Sequence, residues 1–333
     1  YPGASERFHP SILPRACLAG RLRCMSQSPR AVLMINPLGF NPNPETALDN
    51  AFQDAAIFDA TERAAVAAEA RVEVARIAQG LRELGVEVLL IDDLPGSDVP
   101  DSVFPNNWIS THDDGRVVLY PMATPSRRRE RRADVIDALR ERYVVSDVID
   151  VSAMEDDALY LEGTGALVLD HVNRVAYVAR SGRAHTAAAL RWCSAMGYDA
   201  EIFDTVDAHG APIYHTNVVL SIGSEFVTAG LGNIPDPAER ARVGARLAAS
   251  GRVVVALDPG QIAEFAGNGL ELLGAGGRRI FALSTRAAAA LRPDQRALIE
   301  RFTHVFPISI PTIERSGGSV RCTLAGIHLT PRG

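Results

Sequence analysis

The sequence of 333 residues contains no lysine, because all 34 residues counted as lysine or arginine are arginine. This absence excludes Schiff-base catalysis by lysine, the phosphate-binding lysine of a P-loop and a serine–lysine dyad. Cysteine is scarce: four residues, Cys17, Cys24, Cys193 and Cys322, lie far apart without CxxC spacing. That pattern argues against a structural zinc site or a disulfide framework, so a reducing cytoplasm is the expected compartment.

Long apolar runs are also missing. No window approaches the roughly 18 continuous apolar residues of a membrane span, so we expect a soluble protein. The net charge is −6 and the pI is near 5.8. The one basic cluster, residues 127–132, is interrupted by Glu130. We therefore expect neither a nucleic acid nor a membrane as a partner.

The first 24 residues show no apolar core of a signal peptide and no clear periodicity. Met25 is followed by a polar stretch and then by a strand pattern at residues 31–35. We expect residues 1–24 to be a disordered or non-native extension. Residues 25–333 are predicted to form one catalytic domain.

Five stretches share one pattern, in which small or polar residues lead into a strand, a tight turn and a second strand. They are residues 106–121, 162–180, 215–230, 267–284 and 317–329. Four of the turns carry glycine or Asp/Asn chemistry typical of hairpins, whereas the last has only Ala-Gly. Amphipathic stretches with helical spacing lie before and between the hairpins, at 55–84, 128–142, 185–196, 237–249 and 285–302.

This order predicts an α/β fold. A doubly wound sheet would alternate single strands with helices, whereas here the strands come in antiparallel pairs. Five units of hairpin plus helix, each about fifty residues, close most naturally into a ring. We therefore predict a five-bladed αβ propeller with a pseudo-fivefold repeat, in which the first strands surround a central channel.

The repeat also predicts where the active site lies. Five polar residues stand at or near the starts of the first strands, with gaps of 55, 53, 53 and 54 residues: Asn107, Glu162, His215, Asn268 and Cys322. Taken singly, each has an ordinary structural explanation, such as a buried cysteine or a hydrogen-bonded core histidine. Near-equal spacing in a closed repeat instead brings them to one small volume, as an active site requires.

A thiol, an imidazole and a carboxylate together indicate nucleophilic catalysis. A neighbouring imidazole can activate the Cys322 thiol and then act as acid and base, and a carboxylate can orient that imidazole. The glycines at 317 and 318 would let the backbone approach a substrate and present N–H donors. No metal or organic cofactor is needed, because the thiolate supplies the nucleophile.

Several motifs together resemble the guanidine-modifying, or pentein, superfamily. They are FPNNW at 104–108, RRRERR at 127–132, LEGTG at 161–165, IYHTN at 213–217 and SGGSVRC at 316–322. The resemblance spans roughly residues 31–330 and is strongest to bacterial citrulline-utilisation hydrolases. It implies an αβ propeller with Cys322 as nucleophile, His215 as general acid and base, and Glu162 beside them.

The departures from the family pattern concern the substrate. Deiminases that hold a cationic guanidinium supply aspartates at positions that read here Asn107, Gly165 and Asn217. A buried guanidinium without a carboxylate partner costs several kcal/mol, whereas asparagine offers a donor and an acceptor to a neutral ureido group. The sequence therefore favours hydrolysis of the ureido group of citrulline to ornithine, ammonia and carbon dioxide.

The resemblance also assigns residues to the amino-acid end of the substrate. Arg127 and Arg183 match arginines that bind the substrate carboxylate in dimethylarginine hydrolases, and such arginines bind it through paired hydrogen bonds. Phe40, Asn41 and Asn43 lie on a proline-rich loop that either covers the site or simply links two elements. Asn107, Asn217 and Asn268 complete the predicted substrate-binding set.

Two other functions remain open from the sequence. The alternatives are a deiminase-type hydrolase acting on arginine or dimethylarginine, and an amidinotransferase that uses an amine in place of water. A binding module without activity is disfavoured, because it would not need all three catalytic residue types. A small amino-acid substrate is the expected partner, and the sequence is compatible with a homo-oligomer.

Overall fold

A computed structural model describes residues 26–47, 49–54, 59–96 and 98–333. Five three-stranded sheets dominate this part of the chain, together with one two-stranded sheet. The strands are β1 (Ala31–Asn36), β2 (Glu87–Asp92), β3 (Ile109–Thr111), β4 (Arg116–Leu119), β5 (Tyr143–Val144), β6 (Asp147–Asp150), β7 (Leu167–Asp170), β8 (Val175–Arg180), β9 (Asp199–Asp204), β10 (Leu220–Ile222), β11 (Phe226–Ala229), β12 (Val253–Ala256), β13 (Leu270–Leu273), β14 (Arg279–Ser284), β15 (His304–Ile308), β16 (Ala325–Ile327) and β17 (Thr330–Pro331).

Four of the five predicted hairpins are confirmed. Strands β3–β4, β7–β8, β10–β11 and β13–β14 pair antiparallel, and Leu167 faces Val178 in the second of these pairs. Each hairpin also gains a third strand, parallel to the second, that the sequence pattern did not reveal: β6, β9, β12 and β15. These strands follow helices, as parallel pairing requires a crossover connection. The sheets are therefore mixed, and the α/β class is confirmed.

The fifth predicted hairpin, at residues 317–329, is wrong. Strand β16 pairs instead with β1 from the other end of the described chain, with Leu33 opposite Ala325, and β2 completes the sheet. The presumed turn residues Ala325 and Gly326 lie within the strand itself, because they pair with Leu33 and Val32 of β1 and so do not reverse the chain. Strand β17 pairs with β5 in the two-stranded sheet. Because β1 pairs with β16, residues from the two ends of the described chain lie in the same three-stranded sheet.

The helices follow the predicted spacing, with two of the stretches divided. They are α1 (Ala60–Glu83), α2 (Pro125–Arg128), α3 (Ala133–Arg142), α4 (Gly163–Ala166), α5 (Thr186–Met196), α6 (Thr216–Val219), α7 (Pro237–Ala249), α8 (Pro259–Ala263), α9 (Thr285–Ala290), α10 (Pro293–Glu300) and α11 (Pro311–Glu314). Helix α1 begins after Asp59, whose carboxylate accepts the N–H groups of Thr61 and Glu62 in a capping box. The predicted start at 55 lies outside the described residues.

The stretches 128–142 and 285–302 each form two helices where one was predicted. Between α9 and α10 the chain is extended at Leu291 and Arg292, because the residue before a proline disfavours helical geometry and Pro293 opens the next helix. Between α2 and α3, Arg132 is extended and the chain turns at residues 129–132. Arg127 near the end of α2 and Glu130 in this turn lie three residues apart and form an ion pair.

Short helical turns stand where four of the first strands begin. Helix α4 runs directly into β7 and α6 into β10, whereas short 3-10 turns, Pro105–Asn107 and Val320–Thr323, precede β3 and β16. First strands from different sheets contact each other: β3 touches β16, and β10 touches both β7 and β13. The starts of these strands are thereby gathered at one end of the assembly of sheets.

The apolar core lies between the sheets and the helices that cover them. One cluster joins α1 to β1, β2 and β14 and includes Val74, Ile77 and Leu81 from one helical face. Burying such side chains stabilises the fold by roughly 1.5–3 kcal/mol each. Across the described ranges, no helix combines the length and the apolar content needed to traverse a bilayer.

Candidate active site

The sulfur of Cys322 lies at the centre of the candidate site. Cys322 sits on the 3-10 turn Val320–Thr323 and is almost fully buried. The side-chain amides of Asn217 and Asn268 place their Nδ2 atoms 3.5 Å and 3.4 Å from its Sγ. Two N–H donors directed at one sulfur suit an anionic thiolate, since hydrogen bonds to an ionised acceptor are the stronger ones.

His215 and Glu162 form a buried pair beside this thiol. His215 immediately precedes α6 and Glu162 immediately precedes α4, and the two turns contact each other. The Nε2 atom of His215 is 2.9 Å from Oε2 of Glu162, and Oε1 of Glu162 accepts the backbone N–H of Ala123. Both carboxylate oxygens of Glu162 therefore have protein partners.

The pKa values of this pair move in the same direction. Burial would raise the pKa of Glu162, but the hydrogen bond from His215 and the charges of Arg183 and Arg127 outweigh it and lower the pKa to about 2. Burial lowers the pKa of His215, and the attraction of Glu162 only partly offsets that effect. At neutral pH the pair thus consists of a carboxylate and a neutral imidazole, which is able to accept a proton.

Arg127 is held within the protein by several acceptors. Its Nε and Nη2 donate to the two carboxylate oxygens of Glu130 at 2.9 Å and 3.0 Å. Its Nη1 donates to Oδ1 of Asn107 at 2.7 Å and lies 3.6 Å from Glu162, and its Nε lies 3.9 Å from Asp101. The guanidinium lines the cavity as predicted, but each of its three nitrogens already donates a hydrogen bond to a protein group. These contacts are all to protein groups, and its role in binding a substrate carboxylate stays a prediction.

Arg183 differs because its main partner lies on an exposed loop. Its Nε donates to Asp49 Oδ2 at 2.9 Å, and its Nη2 contacts the other oxygen of the same carboxylate and the carbonyl of Thr46 at 3.2 Å. The Asp49 side chain is 44% exposed, whereas that of Arg183 is 3% exposed. The guanidinium also lies 5.0 Å from the ring centre of Tyr214. A substrate carboxylate that displaced Asp49 would therefore find a preformed partner.

Gly165 explains one of the departures from the deiminase pattern. A Cβ atom added at Gly165 would lie 2.4 Å from Nδ2 of Asn107 and 2.7 Å from Nδ1 of His215. Real side chains do not make such short contacts, so an aspartate at this position would displace one of these two residues. The glycine makes room for Asn107 and His215 in their observed positions.

One cavity is lined by five of the ten predicted site residues. Its lining includes Cys322, His215, Asn107, Arg127 and Arg183. The other lining residues are Thr46, Asn50, Asp101, Phe104, Tyr214, Ser316 and Gly318. The cavity therefore brings together three of the five repeat positions, Asn107, His215 and Cys322, and also both predicted arginines.

Residues of the proline-rich loop lie behind this cavity. Phe40 is fully buried in the apolar cluster that contains Val320 and Cys322 and is not among the lining residues, since its ring is accommodated by the core. Asn43 is also buried, and it donates to Oδ2 of Asp101 at 2.8 Å and to Oγ of Ser126 at 3.0 Å. The structure thus gives Asn43 a supporting contact and Phe40 a packing position.

Three carboxylates of the site were missed by the sequence analysis: Asp101, Glu130 and Asp49. Burial raises the pKa of Asp101, although the charge of Arg127 and the hydrogen bond from Asn43 oppose that rise. The spacing of Glu130 three residues after Arg127 is the signal that would have indicated their pairing. Asp49 carried no such signal, because its contact with Arg183 depends on a loop. Within the described part of the chain, no group of three or more His, Cys, Asp or Glu side chains is placed to hold a metal ion.

The comparisons with known proteins agree with this geometry. Residues 36–329 match the family model described as "N,N dimethylarginine dimethylhydrolase, eukaryotic". The chain belongs to this family. It thereby belongs to the superfamily of guanidine-modifying enzymes that its motifs resemble, and its class, a hydrolase of carbon–nitrogen bonds other than peptide bonds, is confirmed. No curated protein sequence matches the chain at a significant level.

Solved structures of similar fold include two larger proteins and one of similar size. ArgZ, an arginine dihydrolase from the ornithine–ammonia cycle in cyanobacteria, has a TM-score of 0.67 and 16% identity, covering 89% of this chain and 40% of ArgZ. Unliganded AgrE has a TM-score of 0.70 and 16% identity, with 91% and 40% covered. The chain thus spans about 40% of the length of these two proteins.

The third structure is the dimethylarginine hydrolase of Pseudomonas aeruginosa with citrulline bound. It has a TM-score of 0.59 and 14% identity, covering 90% of this chain and 99% of that protein. At such identities the likeness shows a shared fold. Because the family match extends from residue 36 to residue 329, it includes Cys322, His215 and Glu162.

Proposed function

We propose that this member of the family hydrolyses the ureido group of a free amino acid, and that the substrate is citrulline. The observation that carries the proposal is the set of uncharged groups around the catalytic residues. Gly165 lies close to both Asn107 and His215, and Asn217 contacts the sulfur of Cys322. These are the positions at which the related deiminases supply aspartates to a cationic guanidinium.

Asn217 offers a free acceptor at the place where the substrate would react. Its Oδ1 atom is buried and has no hydrogen-bond partner among the described residues, while its Nδ2 faces Cys322. A buried acceptor without a partner costs about 1–3 kcal/mol, and an N–H group of a neutral ureido substrate would satisfy it. The carboxylate of Glu162 is already engaged by His215 and Ala123. A cationic guanidinium would therefore lack a free carboxylate at this point.

The other end of the cavity suits the amino and carboxyl groups of an amino acid. We assign the substrate carboxylate to Arg183, because its hydrogen-bonded carboxylate partner is the exposed Asp49, although its Nη1 also lies 3.8 Å from the buried Glu162. Asp101 lines the same cavity and is the natural partner of the α-ammonium group. A zwitterionic substrate would thus place each of its charges beside a group of opposite sign.

The reaction follows from these positions. The Cys322 thiolate attacks the ureido carbon, and the developing oxyanion is stabilised by N–H donors such as the amide of Asn268. The neutral His215 takes the proton of the Cys322 thiol, gives it to the departing amine and then takes a proton from the water that hydrolyses the thioester. This hydrolysis leaves a carbamic acid, which decomposes with release of carbon dioxide. Glu162 orients the imidazole and stabilises its protonated form. The products from citrulline are ornithine, ammonia and carbon dioxide.

The wider architecture belongs to the same proposal. We infer that the five mixed sheets are the blades of a propeller whose first strands surround a central channel, with the nucleophile at one end. Residues 25–333 would then act as a single catalytic domain. The absence of disulfide spacing supports a cytoplasmic location.

Family membership supports a second candidate, hydrolysis of arginine or dimethylarginine. The matching family model is that of dimethylarginine hydrolases, and one solved structure of this fold is an arginine dihydrolase. For either substrate the nucleophile and the imidazole would act as described above. The two candidates differ in whether a carboxylate is needed beside the reacting carbon.

A side-by-side assay separates the candidates. Purified protein is incubated with citrulline, arginine or dimethylarginine, and ornithine, citrulline and ammonia are measured. We expect the highest kcat/KM with citrulline, and equal or higher turnover of arginine would refute that assignment. Added glycine would reveal amidinotransfer by forming an amidinated product. The variant Cys322→Ala is the control, because it should fold normally, as seen by circular dichroism, and lose turnover with every substrate.

A further inference from the structure

A second cavity lies among the first strands, on the other side of the turn that carries Cys322. Its volume is about 40 Å³. Its polar lining comes from Gln27, Ser110, Thr111, Thr164, His171, Ser221, Arg321 and His328, and its lining includes no aspartate or glutamate. The catalytic residues Cys322, His215 and Glu162 are absent from this lining, so the cavity is distinct from the active-site cavity. We call it the central cavity.

The guanidinium of Arg321 is the notable charge in the central cavity. Its one side-chain hydrogen bond within the described residues runs from Nη1 to the carbonyl of Leu324 at 3.1 Å, and it has no carboxylate partner there. Burial lowers the pKa of Arg321 to about 10, so the group remains charged at neutral pH. Arg321 is half-buried, and most of its five N–H donors are unused by the described residues, so a counter-charge in the cavity would be favourable.

Two histidines stand beside this guanidinium with unused ring nitrogens. The rings of His171 and His328 are 4.1 Å apart, and both line the cavity with Arg321. Nδ1 of His171 contacts the hydroxyl of Tyr198 at 3.1 Å, whereas the ring of His328 has no hydrogen bond to a described residue. Burial, together with the charge of Arg321, lowers the pKa of His328 to about 4. Both rings are thus neutral donors or acceptors.

The remaining polar groups of the lining are already engaged. The Nε2 of Gln27 donates to the carbonyls of Leu169 and Ile222. The hydroxyl of Ser221 donates to the carbonyl of Gly269, and that of Thr164 to the carbonyl of Asn106. The free donors that face the central cavity are therefore those of Arg321, His171 and His328.

We propose that the central cavity binds a small oxyanion of the size of phosphate or bicarbonate, held by Arg321, His171 and His328. Three observations point to this ligand: a half-buried guanidinium without a carboxylate partner among the described residues, imidazole N–H groups beside it, and a lining without carboxylates. A cation would be repelled by Arg321, and a neutral molecule would leave the guanidinium without a counter-charge. The anion supplies that counter-charge and can accept several hydrogen bonds at once.

The position of this site relates it to the nucleophile. Arg321 and Cys322 are neighbours on the turn Val320–Thr323, and the two side chains line different cavities. The backbone N–H of Arg321 donates to Oδ1 of Asn268 at 3.1 Å, and Nδ2 of the same asparagine faces the Cys322 sulfur. An anion held by Arg321 would thus be bound one residue from the thiol.

Thermal unfolding with inorganic phosphate tests the proposal without any substrate. Phosphate is titrated against sodium gluconate at constant sodium concentration, because gluconate is bulkier than the proposed ligand. We expect the Tm of the wild-type protein to rise by about 2 °C or more and to follow the logarithm of phosphate concentration. The variant Arg321→Gln should lose this rise, and the control Arg71→Gln, on the exposed face of α1, should keep it.

A second measurement remains valid if Arg321→Gln does not fold. The chain has eight histidines, so their 13C-labelled ring signals can be resolved by NMR in the wild-type protein. Phosphate or bicarbonate should shift the signals of His171 and His328, assigned with the variant His328→Gln. The signals of the exposed His209 and His304 should not move. An unchanged Tm together with unchanged ring signals would overturn the proposal, as would a stabilisation that Arg321→Gln retains.

Discussion

The pairing of Glu162 with His215 leads to a quantitative prediction about stability. The pKa of Glu162 is lowered from 4.5 to about 2 by His215, Arg183 and Arg127 acting against burial. A shift of this size corresponds to about 3 kcal/mol of stabilisation of the folded state. Because the folded pKa is lowered, the stabilisation is fully present above pH 4.5 and is lost as the pH falls through 4.5 toward 2.

The variant Glu162→Gln keeps the shape of the side chain and removes its charge. We expect a loss in the free energy of unfolding of about 3 kcal/mol at pH 7, of which about 2 kcal/mol has disappeared at pH 3. Urea denaturation of both proteins between pH 3 and pH 7 measures this difference. The same variant should lower kcat by about 100- to 10,000-fold, since the imidazole loses the group that stabilises its protonated form.

An exposed ion pair provides the control for this experiment. Glu225 pairs with Arg279 at the surface, where its side chain is 53% exposed. Exposed pairs contribute about 0–1 kcal/mol, so Glu225→Gln should change stability by less than that at pH 7. The reasoning would be refuted if Glu162→Gln cost no more than the control, or if its cost were the same at pH 3 and pH 7.

Three further substitutions probe the active-site cavity. Gly165→Ala should reduce kcat about tenfold or more, because its methyl group must displace Asn107 or His215. The control Gly232→Ala meets no atom closer than 3.6 Å and should keep its kcat; wild-type kcat in Gly165→Ala would contradict the crowding argument. Asp49→Asn should lower KM about threefold in steady-state assays. In this variant the substrate carboxylate no longer competes with a charged side chain for the guanidinium of Arg183. A higher KM would show that Asp49 assists binding. Asn217→Asp should change the ratio of kcat/KM for arginine to that for citrulline by about tenfold or more in favour of arginine, and an unchanged ratio would remove Asn217 from the basis of specificity.

The repeat spacing predicted the site better than it predicted the strands. Equal spacing identifies equivalent positions whatever the exact local conformation, so Glu162 and His215 could be placed together although each precedes a helical turn rather than a strand. The sequence pattern does not predict the third strand of each sheet, because strands such as Asp147–Asp150 are short and half exposed. Their hydrophobic pattern is weak, and their position depends on parallel pairing with a distant strand.

The pairing of charges could not be predicted from the sequence alone. The family resemblance assigns Arg127 and Arg183 the same role. In the structure, however, the guanidinium of Arg127 pairs with Glu130, whereas that of Arg183 pairs with the loop residue Asp49. Which carboxylate reaches which guanidinium depends on how helix α2 ends and how the loop around residue 49 lies. These are tertiary features, and no local pattern in the sequence specifies them.

The absence of lysine gives these arginines a common physical constraint. A buried lysine can lose its proton when no counter-charge is near, whereas a guanidinium stays charged and must find an acceptor. Arg127 donates hydrogen bonds to Glu130. Arg183 donates to Asp49, which a substrate carboxylate can replace. Arg321 finds no carboxylate in the described part of the chain. The same constraint that marks Arg183 as the anchor for a substrate therefore marks Arg321 as the anchor for a second anion.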